Sequence, residues 1–199
     1  MGITERRIRQ KKEIRNSILS TAWNIANEEG WQSLSIRKIA DAIEYSVPVV
    51  YDHFENKDAI LLEFSRQGFE LLVKKLRQAK AKSELPAEQL KNIAEAYWNF
   101  AFKNKSYYQL MFGLGVPCCE WEKCAPGREV FVTLVMEPIE KIIAESNRTD
   151  VNACFKYHSF WSVIHGLISI KLTNPNVSEE LNKSVLMDAM EGFIKNIEN

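Results

Sequence analysis

The stretch LSIRKIADAIEYSVPVVYDHFENKDAIL, residues 34–61, constrains the fold of this chain more than any other segment. Ser35 is followed by apolar residues at the i, i+3, i+4 and i+7 positions of a helix that starts at Ile36, which is the spacing of one buried helix face. A serine before such a run accepts a hydrogen bond from one of the first free amides. The pattern therefore predicts a short amphipathic helix that Ser35 caps.

A second short helix is predicted after an interruption at Glu44-Tyr45, over the residues from Val47 to Asp52. Pro48 falls in its first turn, where a backbone N–H would have no partner within the helix. Because proline has no N–H, we expect the Ser46 hydroxyl to accept its cap hydrogen bond from the amide of Val49.

A third helix is predicted behind this pair, capped by Asn56 and carrying Asp58 in its first turn, where the helix dipole favours an anion. Upstream, a helix that starts in the charged N-terminal residues runs to Glu29. Gly30 is predicted as its left-handed C-cap, with Trp31 folding back on the helix. Two short capped helices joined by a three-residue turn, with a third packed behind them, describe a helix-turn-helix.

In this stretch the chain resembles the DNA-binding signature of the TetR family of bacterial transcriptional regulators. The helix from Ile14 to Gly30 takes the place of the first helix of that family. A second likeness, at Trp161–Leu167, is to the Trp/His-Gly motif of one subgroup of TetR-like effector domains. The residues that carry the first likeness are Leu34, Ser35, Arg37, Ile39, Ala40, Ser46, Tyr51, Phe54, Lys57, Ile60 and Leu61.

The resemblance implies that the second helix of the pair enters a groove of double-stranded DNA while neighbouring side chains hold phosphates. Phosphate contacts position such a protein, and contacts to base edges give it specificity. The DNA-binding residues predicted in this way are Ser35, Arg37, Tyr45, Ser46, Val47, Val49, Tyr51, His53 and Lys57.

Two positions depart from the family pattern. Glu44 stands where the family usually has glycine, so either the turn avoids a positive φ or Glu44 accepts a strain of roughly 1 kcal/mol or more. Val47 replaces a residue that is often polar or basic, and a valine can read only the thymine methyl group. A helical dimer that has lost DNA binding is therefore one alternative.

The distribution of charge argues against that alternative. Lysine plus arginine and aspartate plus glutamate both number 26, so the net charge gives no support to a nucleic-acid partner. Residues 1–15, here called the basic arm, nevertheless carry six basic and two acidic side chains, and residues 62–82 carry the same numbers. These runs bracket the helix-turn-helix, as phosphate contact requires, although such runs are also typical of solvated helix faces.

The rest of the chain continues with helical spacing and predicts an all-α protein of two domains. The first is an N-terminal helix-turn-helix head, residues 1–60, and the second is a helical effector-binding and dimerisation domain, residues 61–199. Beyond the head, helices are predicted over residues 57–82, from Pro86 onward, and over residues 129–145, 151–173 and 178–197.

The segment from Ala87 to Phe112 is rich in aromatic residues. Most of these residues are expected in the core, but a group of this size with polar tips also lines pockets for organic ligands. The residues predicted for an effector pocket are Trp98, Phe102, Tyr108, Met111, Phe112, Phe131, Phe155, His158 and Trp161.

The last predicted helix carries a wide apolar stripe from Leu181 to Ile197. Such a stripe must be buried against something. In TetR-like proteins the last two long helices of each subunit meet their counterparts in a four-helix bundle, so the resemblance implies a homodimer. The interface residues predicted for it are Ser162, Gly166, Ser169, Leu186, Met190 and Phe193.

Two further alternatives concern cysteine and histidine chemistry. A thiol-responsive regulator would act through Cys118, Cys119 and Cys124. No metal site is predicted from these residues, because adjacent cysteines are poor joint ligands of one metal ion. A small helical enzyme would use Cys154 and His158, which share a helix face. The chain has no glycine-rich phosphate loop, catalytic triad or zinc-protease motif, so we expect neither a cofactor nor enzymatic activity.

Taken together, these features favour a DNA-binding transcriptional regulator. The resemblance implies a repressor that binds a pseudo-palindromic operator as a homodimer and is released by a small organic effector. An effector that prefers one spacing of the two heads weakens DNA binding if the operator prefers another. The chain shows neither a secretory signal nor a membrane span, which predicts a cytoplasmic protein.

Overall fold

The computed structural model describes residues 3–113, 125–174, 176 and 178–199. Within these ranges all regular structure is helical, which confirms the predicted all-α class. None of the described helices is long and apolar enough to cross a membrane. The helices are α1 (Ile3–Glu29), a 3-10 turn (Trp31–Ser33), α2 (Ile36–Ala42), α3 (Val47–Tyr51), α4 (Lys57–Lys80), α5 (Pro86–Lys103), α6 (Lys105–Met111), α7 (Ala125–Ser146), α8 (Ala153–Thr173) and α9 (Glu179–Glu198).

The chain forms two compact units, and each of them is discontinuous in sequence. The first comprises Met1–Gly68 together with Ser106–Cys124, and the second comprises Phe69–Lys105 together with Ala125–Asn199. The first dividing point falls inside α4. The domain boundary after residue 60 remains a prediction, and nothing in the sequence indicated that α6 would join the head.

One hydrophobic core holds the helices of the head together. Ile18, Ile39, Val50 and Ile60, one from each of α1 to α4, are fully buried and lie on the apolar faces that the helical spacing predicts. Leu110 of α6 belongs to the same core. Burying a side chain of this size contributes roughly 1.5–3 kcal/mol, so the orientation of the short helix α3 is set by its packing on the rest of the head.

Helix α6 is fastened to the head by polar and aromatic contacts. The indole Nε1 of Trp31 donates a hydrogen bond to the backbone carbonyl of Ser106 at 2.8 Å. The Ser106 hydroxyl donates to the side-chain carbonyl of Asn27 at 2.6 Å. The ring of Tyr107 lies 4.3 Å from the ring of Trp23, measured between centroids. These contacts make α6 a structural part of the head.

The helix caps of the head are partly as predicted. Ser35 and Asn56 accept hydrogen bonds from the amide three residues later, at 3.2 and 2.8 Å, which confirms both caps. The cap predicted for the Ser46 hydroxyl is wrong, because the amide of Val49 donates to the backbone carbonyl of Ser46 at 3.0 Å. Gly30 has a φ of 85° and a ψ of 158°, an extended conformation open to glycine alone and not the predicted left-handed cap.

The second unit is built from α5, α7, α8 and α9 together with the end of α4. Ile93, Val135, Ile164 and Leu186, one from each of the first four helices, are buried in its core. Pro86 occupies the first turn of α5, as predicted. Helix α8 begins two residues later than predicted and ends at the predicted residue, whereas α9 begins and ends one residue later than predicted, because periodicity places helices better than it places their end residues.

The apolar stripe of α9 is buried mainly within its own chain. Leu186 and Met190, both predicted for a dimer interface, have no exposed surface. Side chains without exposed surface cannot contact a second subunit, so the prediction is wrong for these two residues. The exposed apolar residues of α9 are Leu181 and Val185.

Candidate nucleic-acid interface

Helix α3 presents a tyrosine to solvent at each of its ends. Tyr45, two residues before the helix, is 44% exposed, and Tyr51, its last residue, is 51% exposed. On the opposite side, Val50 and Phe54 are buried in the head core. Tyrosine combines an apolar ring with a hydroxyl that donates and accepts hydrogen bonds. The exposed side of α3 is therefore framed by two rings that could contact a polar partner.

The position of Tyr45 follows from how α2 ends. The amide of Tyr45 donates to the carbonyl of Ala40 at 3.0 Å, and the amide of Glu44 donates to the carbonyl of Asp41 at 3.2 Å. These two bonds form a Schellman motif, which needs a left-handed residue after the helix. Glu44 is that residue, with a φ of 58°. Of the two possibilities at Glu44 the strained one is observed, at a cost of roughly 1–2 kcal/mol.

Replacing Glu44 with glycine is expected to raise the free energy of unfolding by about 0.5–1 kcal/mol, because glycine adopts a positive φ without strain while losing more entropy on folding. Chemical denaturation with a two-state fit measures the change. Glu44→Gln is the matched control, since it removes the same charge and keeps a side chain at the strained φ. Equal stability of the two variants would mean that the strain at this turn is no larger than the entropy cost of glycine.

The two valines predicted to face a groove are less open than the tyrosines. Val47 is half-buried and packs against the head core, and Val49 is also half-buried. Only part of each side chain can reach a partner. Neither valine donates a hydrogen bond, so direct reading of bases by α3 is limited to apolar contact at these two positions.

Several of the predicted DNA-binding residues carry exposed donors. The hydroxyl of Ser46 has no cap role and the residue is exposed. The guanidinium of Arg37 lies 4.0 Å from the carboxylate of Asp41, a weak surface pair that leaves most of its charge available. The ammonium of Lys57 donates to the carbonyl of Gln32 at 3.5 Å. Ser35 is committed through its hydroxyl to the cap of α2.

His53 lies in a surface cavity where α3 and the basic arm meet. The cavity has a volume of about 350 Å³ and is lined by Ile8, Lys11, Lys12, Arg15, Asp52 and His53. Burial lowers the pKa of His53 below its usual value, and the positive charges of Lys11 and Arg15 lower it further, while Asp52 acts in the opposite direction. These surroundings therefore disfavour the charged form of the imidazole.

The residues predicted for an effector pocket are divided between the two units. Tyr108, Met111 and Phe112 belong to the first unit, with the rings of Tyr108 and Phe112 4.9 Å apart. In the second unit, the rings of Trp98 and Phe102 lie 4.8 Å apart. Phe131 is buried there beside Tyr97, and Trp161 is half-buried. A common pocket for these residues remains a prediction.

Two members of that predicted pocket are on the surface. Phe155 is 68% exposed and His158 is also exposed in the single chain, and their place in an effector pocket remains a prediction. Cys154 is exposed as well, and no hydrogen bond joins its thiol to the imidazole of His158.

His165 is half-buried and its ring stacks on that of Trp161, with 5.0 Å between the ring centroids. Burial lowers the pKa of His165.

One face of α8 is exposed and apolar. Phe155, Val163 and Ile170 lie on it, all more than a third exposed. The predicted interface residues Ser162, Gly166 and Ser169 fall on the same face by helical spacing, and a Cβ placed on Gly166 would meet no atom within 4 Å. Phe193 of α9, by contrast, packs on Phe160 inside the chain.

The cysteines invoked for a thiol-responsive regulator, Cys118, Cys119 and Cys124, lie outside the described residues. Within the described ranges, no group of three or more histidine, cysteine or acidic side chains is arranged to hold a metal ion.

Two family models match the chain. The model of bacterial regulatory proteins of the tetR family matches residues 18–71, and the model of the tetracyclin repressor-like C-terminal domain matches residues 90–190. Among curated proteins, the HTH-type transcriptional activator FasR of Mycolicibacterium smegmatis is 28% identical over 102 residues, which is 51% of this chain and 47% of FasR. The alignment thus spans about half the length of that relative.

Solved structures of the same fold cover nearly the whole chain. A protein with unknown function from Rhodococcus sp. RHA1 has a TM-score of 0.77 at 18% identity and covers 93% of this chain and 95% of its own. FadR from Bacillus subtilis, solved with stearoyl-CoA, has a TM-score of 0.72 at 12% identity and coverages of 89% and 96%. For the TetR family regulator PfmR from Thermus thermophilus the TM-score is 0.67 at 18% identity, with coverages of 89% and 97%. With both halves matched by the corresponding family models, the chain belongs to the TetR family of bacterial transcriptional regulators.

Proposed function

We propose that this regulator is a repressor that binds a pseudo-palindromic operator as a homodimer and leaves it when a hydrophobic or amphipathic effector binds. The observation that carries the proposal is the exposed side of α3, framed by Tyr45 and Tyr51 and preceded by the free hydroxyl of Ser46. Arg37 of α2 and Lys57 of α4 add cations to the same head. Val47 and Val49 of α3 carry no side-chain donor for base edges. Much of the sequence preference is therefore assigned to Tyr45 and to DNA shape.

The direction of regulation is tested in cells with a reporter driven by the promoter next to the gene. A repressor predicts that deletion of the gene raises reporter expression. The mycobacterial relative FasR is named an activator, and a fall in expression on deletion would place this chain with it and overturn repression. Binding of the purified protein to the same DNA, measured across a salt series, tests the operator separately.

The homodimer is proposed from the exposed apolar face of α8. Phe155 and Ile170 are 68% and 61% exposed, and both lie on the face opposite the buried residues of that helix. A second copy of this face would remove both side chains from water, which is the usual driving force for association. The exposed valine and leucine of α9 extend the apolar surface.

Replacing Phe155 and Ile170 with glutamate is expected to convert the protein to a monomer without unfolding it, because both side chains are exposed in the single chain. Sedimentation velocity measures the mass, and a monomer that holds only one half-site should bind the operator about a hundredfold more weakly or worse. Leu85→Glu is the control, since Leu85 is equally exposed, at 65%, but lies before α5. A double variant that stays dimeric would show that the dimer interface does not lie on this face of α8.

The effector class is proposed from the aromatic residues of the second unit and from one related structure. Trp98, Phe102 and Phe131 supply apolar rings of the kind that line ligand pockets, and FadR from Bacillus subtilis was solved with stearoyl-CoA. A series of acyl-CoA esters of increasing chain length tests the proposal. Longer chains should release the operator at lower concentration, because each buried methylene contributes about 0.8 kcal/mol. Release that is independent of chain length would contradict an acyl pocket.

A pH dependence is expected if His53 contacts phosphate. The pKa of His53 is lowered in the free protein by burial and by Lys11 and Arg15, whereas a phosphate anion beside the ring would raise it. The complex then binds more protons than the free protein, so operator affinity should rise as the pH is lowered from about 7.5 to about 5.5. His53→Gln should remove the rise. The same rise in the variant would assign the effect to another group.

A further inference from the structure

The N-terminal part of α1 extends beyond the region that forms the head core. Helix α1 runs from Ile3 to Glu29, about 40 Å at 1.5 Å per residue, whereas the match to the family's N-terminal model begins only at residue 18. Every residue from 4 to 13 is exposed. Residues 4–13 of the basic arm therefore form a solvated stretch of α1.

The two sides of this helix differ in charge. Arg7, Lys11 and Arg15 follow each other at four-residue intervals and form one ridge. The two acidic residues of the arm, Glu5 and Glu13, lie on the other side by helical spacing. A solvated helix face typically mixes both signs, and that description fits the side that carries the acids. The ridge carries positive charge alone.

The ridge leads directly to the end of α3. Lys11 and Arg15 line the cavity that holds His53. The guanidinium of Arg15 lies 4.8 Å from the centre of the Phe54 ring and 3.1 Å from the carboxylate of Glu63, so the base of the ridge is fixed to the head. Farther out, neither Lys11 nor Arg7 forms an ion pair with a described residue.

We propose that the Arg7–Lys11 side of the basic arm binds backbone phosphates of the DNA that flanks each half-site. The inference rests on the proposed DNA binding of α3 and adds a second contact surface to it. Phosphate oxygens are the partner because the ridge offers two cations about 6 Å apart along the helix axis that form no ion pair with a described residue, and such cations are attracted to backbone phosphates whatever the base sequence. Each subunit then contacts DNA beyond the reach of α3.

The test compares two double variants of the full-length protein. Arg7→Gln with Lys11→Gln removes the two outer cations of the ridge, and Arg6→Gln with Arg9→Gln removes the same charge from the other side of the same helix. Glutamine supports helices about as well as arginine and lysine. The ridge variant should weaken operator binding roughly tenfold or more for each subunit and reduce the logarithmic salt slope by about 1.8 per subunit. The control variant should change both quantities much less.

A second measurement locates the phosphates that the ridge binds. On duplexes trimmed to the half-sites, wild-type protein and the ridge variant should bind equally, because the flanking phosphates are gone. Equal effects of the two double variants, or a ridge effect that survives trimming, would overturn the proposal in favour of diffuse attraction. Wild-type protein that shows no sequence preference would instead contradict the proposed operator binding, so the two failures are distinguishable.

Discussion

Replacing Trp31 with alanine is expected to lower the free energy of unfolding by about 3–5 kcal/mol, the range measured for large aromatic side chains removed from cores. The indole is 3% exposed and lies between the rings of Trp23 and Phe64, at 5.8 and 5.3 Å. Its Nε1 donates to the carbonyl of Ser106. The substitution therefore opens a cavity in the head core and removes a bond that holds α6.

The measurement is urea denaturation followed by far-ultraviolet circular dichroism. Trp31→Phe serves as the control that separates packing from hydrogen bonding, because it keeps most of the ring and leaves only the carbonyl of Ser106 without its donor. Its expected cost is lower, about 1–3 kcal/mol. A loss below about 1 kcal/mol for the alanine variant would mean that the aromatic cluster contributes little to the stability of the head.

Replacing Tyr51 with alanine is expected to weaken operator binding roughly a hundredfold or more while leaving stability within about 0.5 kcal/mol. A hydrogen bond to a charged partner contributes about 1.5–3 kcal/mol, and the proposed homodimer would lose two of them. Tyr51 is half exposed at the end of α3, so its removal leaves no cavity. Fluorescence anisotropy with a labelled operator measures the affinity.

Tyr51→Phe divides this effect between the hydroxyl and the ring. If the hydroxyl holds a phosphate, the phenylalanine variant binds as weakly as the alanine variant. If the ring packs on the sugar-phosphate backbone, phenylalanine retains most of the affinity. Wild-type affinity in both variants would exclude Tyr51 from the interface and with it the proposed orientation of α3 on DNA.

The features that were predictable from the sequence depend on neighbouring residues. Helical spacing placed the buried faces of α1 to α4, and the caps at Ser35 and Asn56 need only a side-chain oxygen and an amide three residues later. The cap predicted for the Ser46 hydroxyl is wrong for an equally local reason. The amide of Val49 donates to the backbone carbonyl of Ser46 and not to its hydroxyl. The glutamate at position 44 allowed either a turn without a positive φ or a strained residue, and the strained left-handed conformation is the one observed.

The features that escaped prediction depend on distant residues. The bond between Trp31 and Ser106 joins positions 75 residues apart, and an aromatic-rich segment does not reveal which core its rings enter. The apolar stripe of α9 likewise does not reveal which surface covers it. Its spacing requires burial but does not say whether its own chain or a partner provides it, and Leu186 and Met190 are covered by their own chain.

Because α6 belongs to the head, a single cut in the sequence does not separate the two units. The chain passes between the two units three times, after Gly68, after Lys105 and after Cys124. A fragment that stops at Gly68 lacks Leu110, which fills part of the head core. No single splice point therefore exchanges the head for another. A chimaera with a foreign effector domain has to carry the α6 sequence of this head inside it.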